Sequence, residues 1–97
     1  MAMELKWMQC EVAKGMFPTE RLVVVKDTDG SVYGEIFVDE EYVQSNDKIK
    51  DKETIEGHVR VYAEAEQGEK GLVTVLLPTA TINNGRYMQV PKGWLKD

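Results

Sequence analysis

The clearest alternation in the chain runs from His58 to Glu66. Val59, Val61, Ala63 and Ala65 fall on one side of an extended backbone, and His58, Arg60, Glu64 and Glu66 on the other, the pattern of a half-buried strand. Gln67–Gly68–Glu69–Lys70–Gly71 reads as a turn into Leu72–Val73–Thr74–Val75–Leu76–Leu77, whose β-branched, nearly continuous apolar content predicts a central strand. A second reversal is expected at Asn84–Gly85. With those two residues as the loop, Asn83 pairs with Arg86, Ile82 with Tyr87 and Thr81 with Met88.

The first half carries the same signal more raggedly. Leu5–Val12 predicts a strand with Met8, Cys10 and Val12 inward and Leu5, Trp7, Gln9 and Glu11 outward. Leu22–Lys26 and Ser31–Val38 predict a hairpin around Asp27–Thr28–Asp29–Gly30, a turn with Gly where positive φ is often required. Val32, Gly34, Ile36 and Val38 share one face and Tyr33, Glu35 and Phe37 the other, with Gly34 marking a bulge, a bend or a close backbone approach. Between Gly15 and Arg21, Met16 and Phe17 are too apolar to stand in solvent and are expected to tuck across the open end of a barrel; a contact surface is the alternative. From Asp39 to Glu56, Tyr42, Val43, Ile49 and Ile55 keep no helical interval, so a short strand or turn, a mobile loop and a ragged strand around Ile49 are expected rather than a helix. Pro91 cannot donate to a ladder, so pairing should stop near Val90. Trp94 and Leu95 should then fold back as a short turn over an open edge.

These elements predict one all-β domain over residues 1–97 with five to seven strands: a small, partly open antiparallel barrel or strongly bent sheet, SH3-like or OB-like in size. The terminal Gln89–Val90–Pro91–Lys92–Gly93–Trp94–Leu95 resembles the strand, short turn and final strand that end SH3-like barrels. It implies no proline-rich ligand, because the residues of an aromatic groove are not placed by it.

Composition narrows function mainly by exclusion. At 97 residues, 42% hydrophobic and 30% charged, the chain has the size and make-up of an ordinary folded domain. A formal charge of −5 favours solubility and disfavours a phosphate backbone as the main partner. Cys10 is the only cysteine, so no intramolecular disulfide is available; it reads as a buried small hydrophobe in a reducing compartment. No signal-like or membrane-spanning apolar run occurs, and a cytoplasmic setting is expected. A lone His58 gives no metal-ligand spacing. It reads as an exposed residue at a strand start, and no nucleophile-elbow sequence accompanies Ser31 or Ser45. Asp27–Gly30 lacks the acidic residue that closes a calcium loop. No cofactor is implied.

What remains is large apolar side chains in connecting and terminal segments. Trp7, Met16, Phe17, Tyr42 and Trp94 are the candidate contacts of a protein-binding or assembly module, either for another protein or for a second copy. The alternative is a nucleic-acid or ribosome-associated barrel using Arg60, Tyr62, Arg86, Tyr87 and Lys92, through base stacking and phosphate neutralisation. A small enzyme or ligand binder centred on His58 is the third reading.

Overall fold

The computed structural model describes residues 2–45, 48–65, 71–81 and 84–97. It is an all-β protein of eight strands in one strongly curled, open antiparallel sheet. The strands are β1 (Met3–Lys14), β2 (Glu20–Lys26), β3 (Val32–Asp39), β4 (Val43–Ser45), β5 (Ile55–Glu64), β6 (Leu72–Thr81), β7 (Gly85–Pro91) and β8 (Leu95–Lys96). Single 3-10 turns, Glu40–Tyr42 and Lys92–Trp94, precede β4 and β8.

The longest ladder joins β1 to β5, from Met3 opposite Glu64 to Val12 opposite Ile55. Period-two alternation turns Met8, Cys10 and Val12 of β1 and Val59, Val61 and Ala63 of β5 into the same core. The outer edge of β1 is divided, β2 taking Glu11–Lys14 and β8 taking Trp7 and Met8. The outer edge of β5 is divided in the same way, β4 taking Gly57–Val59 and β6 taking Tyr62 and Ala63. The remaining strands add Val23, Val25, Ile36, Val38, Val73, Val75, Leu77, Met88 and Val90 to one buried cluster.

Several local expectations change. His58 is not at a strand start, because pairing begins at Ile55, and Ala65 lies exposed beyond the end of β5. Ile49 is buried without a strand around it; a coil residue fills that part of the core. The two-residue Asn84–Gly85 register is replaced: Tyr87 lies opposite Leu76, Met88 opposite Val75, and Thr81 opposite Gly85. Asn83 and Ile82 lie outside the described residues, as do the Gln67–Lys70 part of the preceding turn and the Asn46–Asp47 part of the expected loop. Pro78 explains the altered register. It has no N–H to give to β7, so β6 bulges over Leu77–Ala80 and re-pairs at Thr81.

Near Gly34 a bulge shifts the β2–β3 register, Val25 facing Gly34 and Lys26 facing Val32. The extra residue reverses the alternation. Val32 is consequently 52% exposed rather than inward, and Tyr33 packs on the core. Gly34 is also a point of close approach, since a Cβ there would stand 2.5 Å from Thr81 Cγ2. At this point the free side of β3 meets β6. The Tyr33 hydroxyl, 2.5 Å from Asn84 O and 2.6 Å from Tyr87 O, has one proton to donate to either carbonyl, and the Asn84 side-chain amide donates to Tyr33 O.

The end of the chain folds back as expected. After the Lys92–Trp94 turn, β8 pairs with β1, Trp94 and Leu95 pack against the core, and Lys6 bonds Asp97. A chain ending at Lys92 should lose about 2–4 kcal/mol of stability, the scale for withdrawing two large apolar side chains. Urea melts of the shortened and full chains measure this, and equal midpoints would reject it.

Candidate functional site

One concavity follows from the divided edge of β5. β4 leaves that edge at Val59 and β6 joins it at Tyr62, so Arg60–Val61–Tyr62 form the floor of a cleft of about 680 Å³. One wall is the end of β3 and the turn after it, with Phe37, Val38, Asp39, Glu41 and Tyr42; the other holds Pro78, Thr79 and Arg86, with Leu5 beside Tyr62. It is the unzipped part of the seam between β3 and β6 that Gly34 and Tyr33 close further along. Phe37 (52%), Tyr62 (47%) and Tyr42 (40%) are exposed, so the cleft is lined with aromatic rings that the core does not use.

Both cations at the cleft have intramolecular partners. The Arg60 guanidinium lies 5.4 Å from the centroid of the Trp7 ring, the geometry of a cation–π contact. Arg86 Nε donates to Leu77 O at 3.0 Å and Nη2 to Pro78 O at 3.1 Å, so its fork satisfies carbonyls that the β6 bulge has detached from the ladder.

The ten candidate residues are thus dispersed and regrouped. Tyr42 from the protein-contact set lines the cleft together with Arg60, Tyr62 and Arg86 from the nucleic-acid set. Trp7 lies under Arg60 and pairs with Lys96. Tyr87 continues an outer-face row, Leu5–Tyr62–Leu76–Tyr87, across four strands. Lys92 is exposed on the last 3-10 turn. Trp94 packs against the core and borders a second groove. Met16 and Phe17 do not plug the barrel: they are 83% and 65% exposed at the tip of the β1–β2 hairpin. Backbone and side-chain bonds hold that tip in shape, Gly15 N to Glu20 O, Glu20 N to Phe17 O, and Arg21 to Pro18 O. Phe37, Leu5 and Pro78 are cleft residues that the sequence pattern does not single out. Their only signals are an outward Phe on a strand with an inward apolar set, and a proline ending an apolar run.

The second groove, of about 460 Å³, runs over β1, β4 and β5 and contains His58, Ser45, Glu11, Glu56, Trp94 and Lys96. Gln44 is opposite His58 and Ser45 opposite Gly57, so alternation turns the serine to the other face. The His58 imidazole is held below its ordinary pKa, first by burial and then by the Lys96 charge. Ser31 is committed to Asp29, its hydroxyl donating at 2.6 Å, and these bonds hold the Asp29 carboxyl below its ordinary pKa. The Cys10 thiol is pushed up to about 12, by burial first and Glu11 second, which keeps it protonated and inert at neutral pH. Among the described residues no group of three or more His, Cys, Asp or Glu could hold a metal ion, and no helix is long and apolar enough to cross a membrane.

Compared with protein-family models, curated proteins and solved structures, the chain matches none. The small all-β fold is compatible with a non-enzymatic interaction module.

Arg86→Ala should cost about 1–2 kcal/mol, as expected for charge-assisted bonds at a part-exposed site, and Arg86→Lys should recover less than half, because an ammonium lacks the two-point fork. Denaturant midpoints report this, and full recovery by Lys would refute the fork. For His58, the unfolded chain binds the proton more tightly than the folded one. The stabilisation from a neutral imidazole is therefore complete above the unfolded pKa of ~6.5 and lost as pH falls through the lower folded value. His58→Gln should flatten the fall in melting temperature between about pH 7 and pH 5 relative to the parent chain; parallel curves would contradict this.

Proposed function

We propose that this chain is a non-enzymatic protein-interaction module of a reducing, cytoplasmic setting, with the β3–β6 cleft as its recognition surface. The carrying observation is an open cleft lined by exposed Phe37, Tyr42, Tyr62 and Leu5 whose two arginines already have intramolecular partners. Aromatic rings with little left to order are the usual centres of binding energy. The buried, protonated Cys10 suits a reducing setting. In this reading Trp7 stiffens Arg60 at the cleft floor, Tyr42 is a direct contact, and Met16 and Phe17 are a separate apolar contact point at the hairpin tip. Trp94 serves the core. A second copy of the chain is a partner the module could take at that hairpin tip.

A second reading has its own support. Tyr62 and Tyr87 share one exposed row with Leu76 between them, an arrangement on which unpaired bases could stack, with Arg60 and Arg86 nearby. Against it stand the engagement of both arginines and the acidic side chains Asp39 and Glu41 on the facing wall.

Phage-displayed random peptides selected on the chain, alongside a fluorescent oligothymidine titrated at low and high salt, separate the two. Selected peptides should bind Tyr62→Ala about tenfold or more weakly, as at an interface hot spot, while the oligonucleotide shows no saturable binding. Saturable oligonucleotide binding that falls steeply with salt and needs Tyr62 and Tyr87 would establish the second reading instead. Selection of peptides indifferent to Tyr62 would reject the first.

A further inference from the structure

We propose that the cleft takes an extended, basic segment of a partner protein, which adds as a strand along the free edge of β3 and closes the open part of the barrel. This deepens the interaction-module reading and rests on it. Among the described residues β3 has a ladder with β2 alone. Its other edge meets β6 at Gly34 and Thr81 and then diverges, with Phe37, Val38 and Asp39 on one wall of the cleft and Pro78 and Thr79 on the other. An unpaired edge is a template for a further strand. β6 cannot be that template here, because Pro78 has no N–H and the Leu77 and Pro78 carbonyls are held by Arg86.

Charge along the β3 edge selects the occupant, the two cleft arginines lying on the floor and the facing wall. Between Val32 and Tyr42 the chain has Glu35, Asp39, Glu40 and Glu41 and no Lys or Arg. Arg21 engages Glu40 at 3.0 Å, while Glu35, Asp39 and Glu41 are exposed and form no ion pair among the described residues. A second copy does not fit this edge: an antiparallel pairing centred on Phe37 sets Glu35 of each chain against Asp39 of the other, and like charges directly opposite are destabilising. Alternation fixes the complementary sequence. Glu35, Phe37 and Asp39 face outward while Ile36 and Val38 face the core. The incoming strand therefore carries Lys or Arg opposite Glu35 and Asp39, an apolar residue beside Phe37, and small β-branched residues opposite Ile36 and Val38.

A fluorescent peptide containing Lys-Val-Ile-Val-Lys tests this, with a Glu-Val-Ile-Val-Glu control and two forms N-methylated at alternate residues. Anisotropy reports affinity, and amide hydrogen exchange reports protection along Glu35–Asp39. The lysine peptide should bind and slow exchange at that edge, one of the two N-methylated forms should fail, and Glu35→Lys with Asp39→Lys should weaken binding about tenfold and shift preference to the glutamate peptide. No binding, equal binding of both peptides, or no protection of β3 would overturn strand addition. If Tyr62-dependent peptides are nevertheless recovered by phage selection, the module reading stands without it; if none depends on Tyr62, both fall.

Discussion

The β1–β5 ladder is the constraint from which the rest of the molecule follows. Its unbroken register from Met3–Glu64 to Val12–Ile55 uses one edge of β5 completely and that of β1 as far as Val12, and each opposite edge is shared by two shorter ladders. The sheet curls until β3 meets β6 at Gly34 and Thr81, and Val59 lies between Met8 and Val43. The interval between the departure of β4 and the arrival of β6 is the cleft floor. The concavity therefore originates in the division of an edge.

The polar groups around the cleft are arranged by the same geometry. The bulge that Pro78 imposes on β6 frees two carbonyls, and Arg86 reaches back to them. Arg60 projects outward from the neighbouring strand pair and settles over Trp7, its cross-strand partner. The positive charge near the cleft is thereby held in fixed positions, while the acidic wall of β3 is left with its exposed carboxylates. An acidic chain can still present two arginines at one surface when each has a neutral partner of its own.

The alternation in β5, and in β1 between Met8 and Val12, makes the core legible in the amino-acid sequence, because Met8, Cys10, Val12, Val59, Val61 and Ala63 keep one parity and polar side chains interrupt the other. Cys10 and the fold-back of Trp94 and Leu95 are readable for related reasons: a buried parity, and side chains too large to fray. The bulges are not readable in register. Gly34 and Pro78 announce irregularity, but how many residues an irregularity absorbs depends on what the neighbouring strand offers, and this is why Val32 turns outward and Met88 meets Val75 rather than Thr81. Met16 and Phe17 mislead because hydrophobicity alone does not require burial. The cleft joins residues from β1, β3, β5, β6, β7 and a 3-10 turn, a grouping that depends on closure of the sheet and that no local pattern encodes.

The hairpin tip has one more consequence. Its shape is set by Gly15, Glu20 and Arg21 through main-chain contacts, and the two apolar side chains it displays add nothing to the interior. Conformation and chemical identity are uncoupled there. Positions 16 and 17 can diverge in sequence without disturbing the scaffold beneath them, which makes this corner of the molecule a place where new binding preferences can arise at almost no cost to folding.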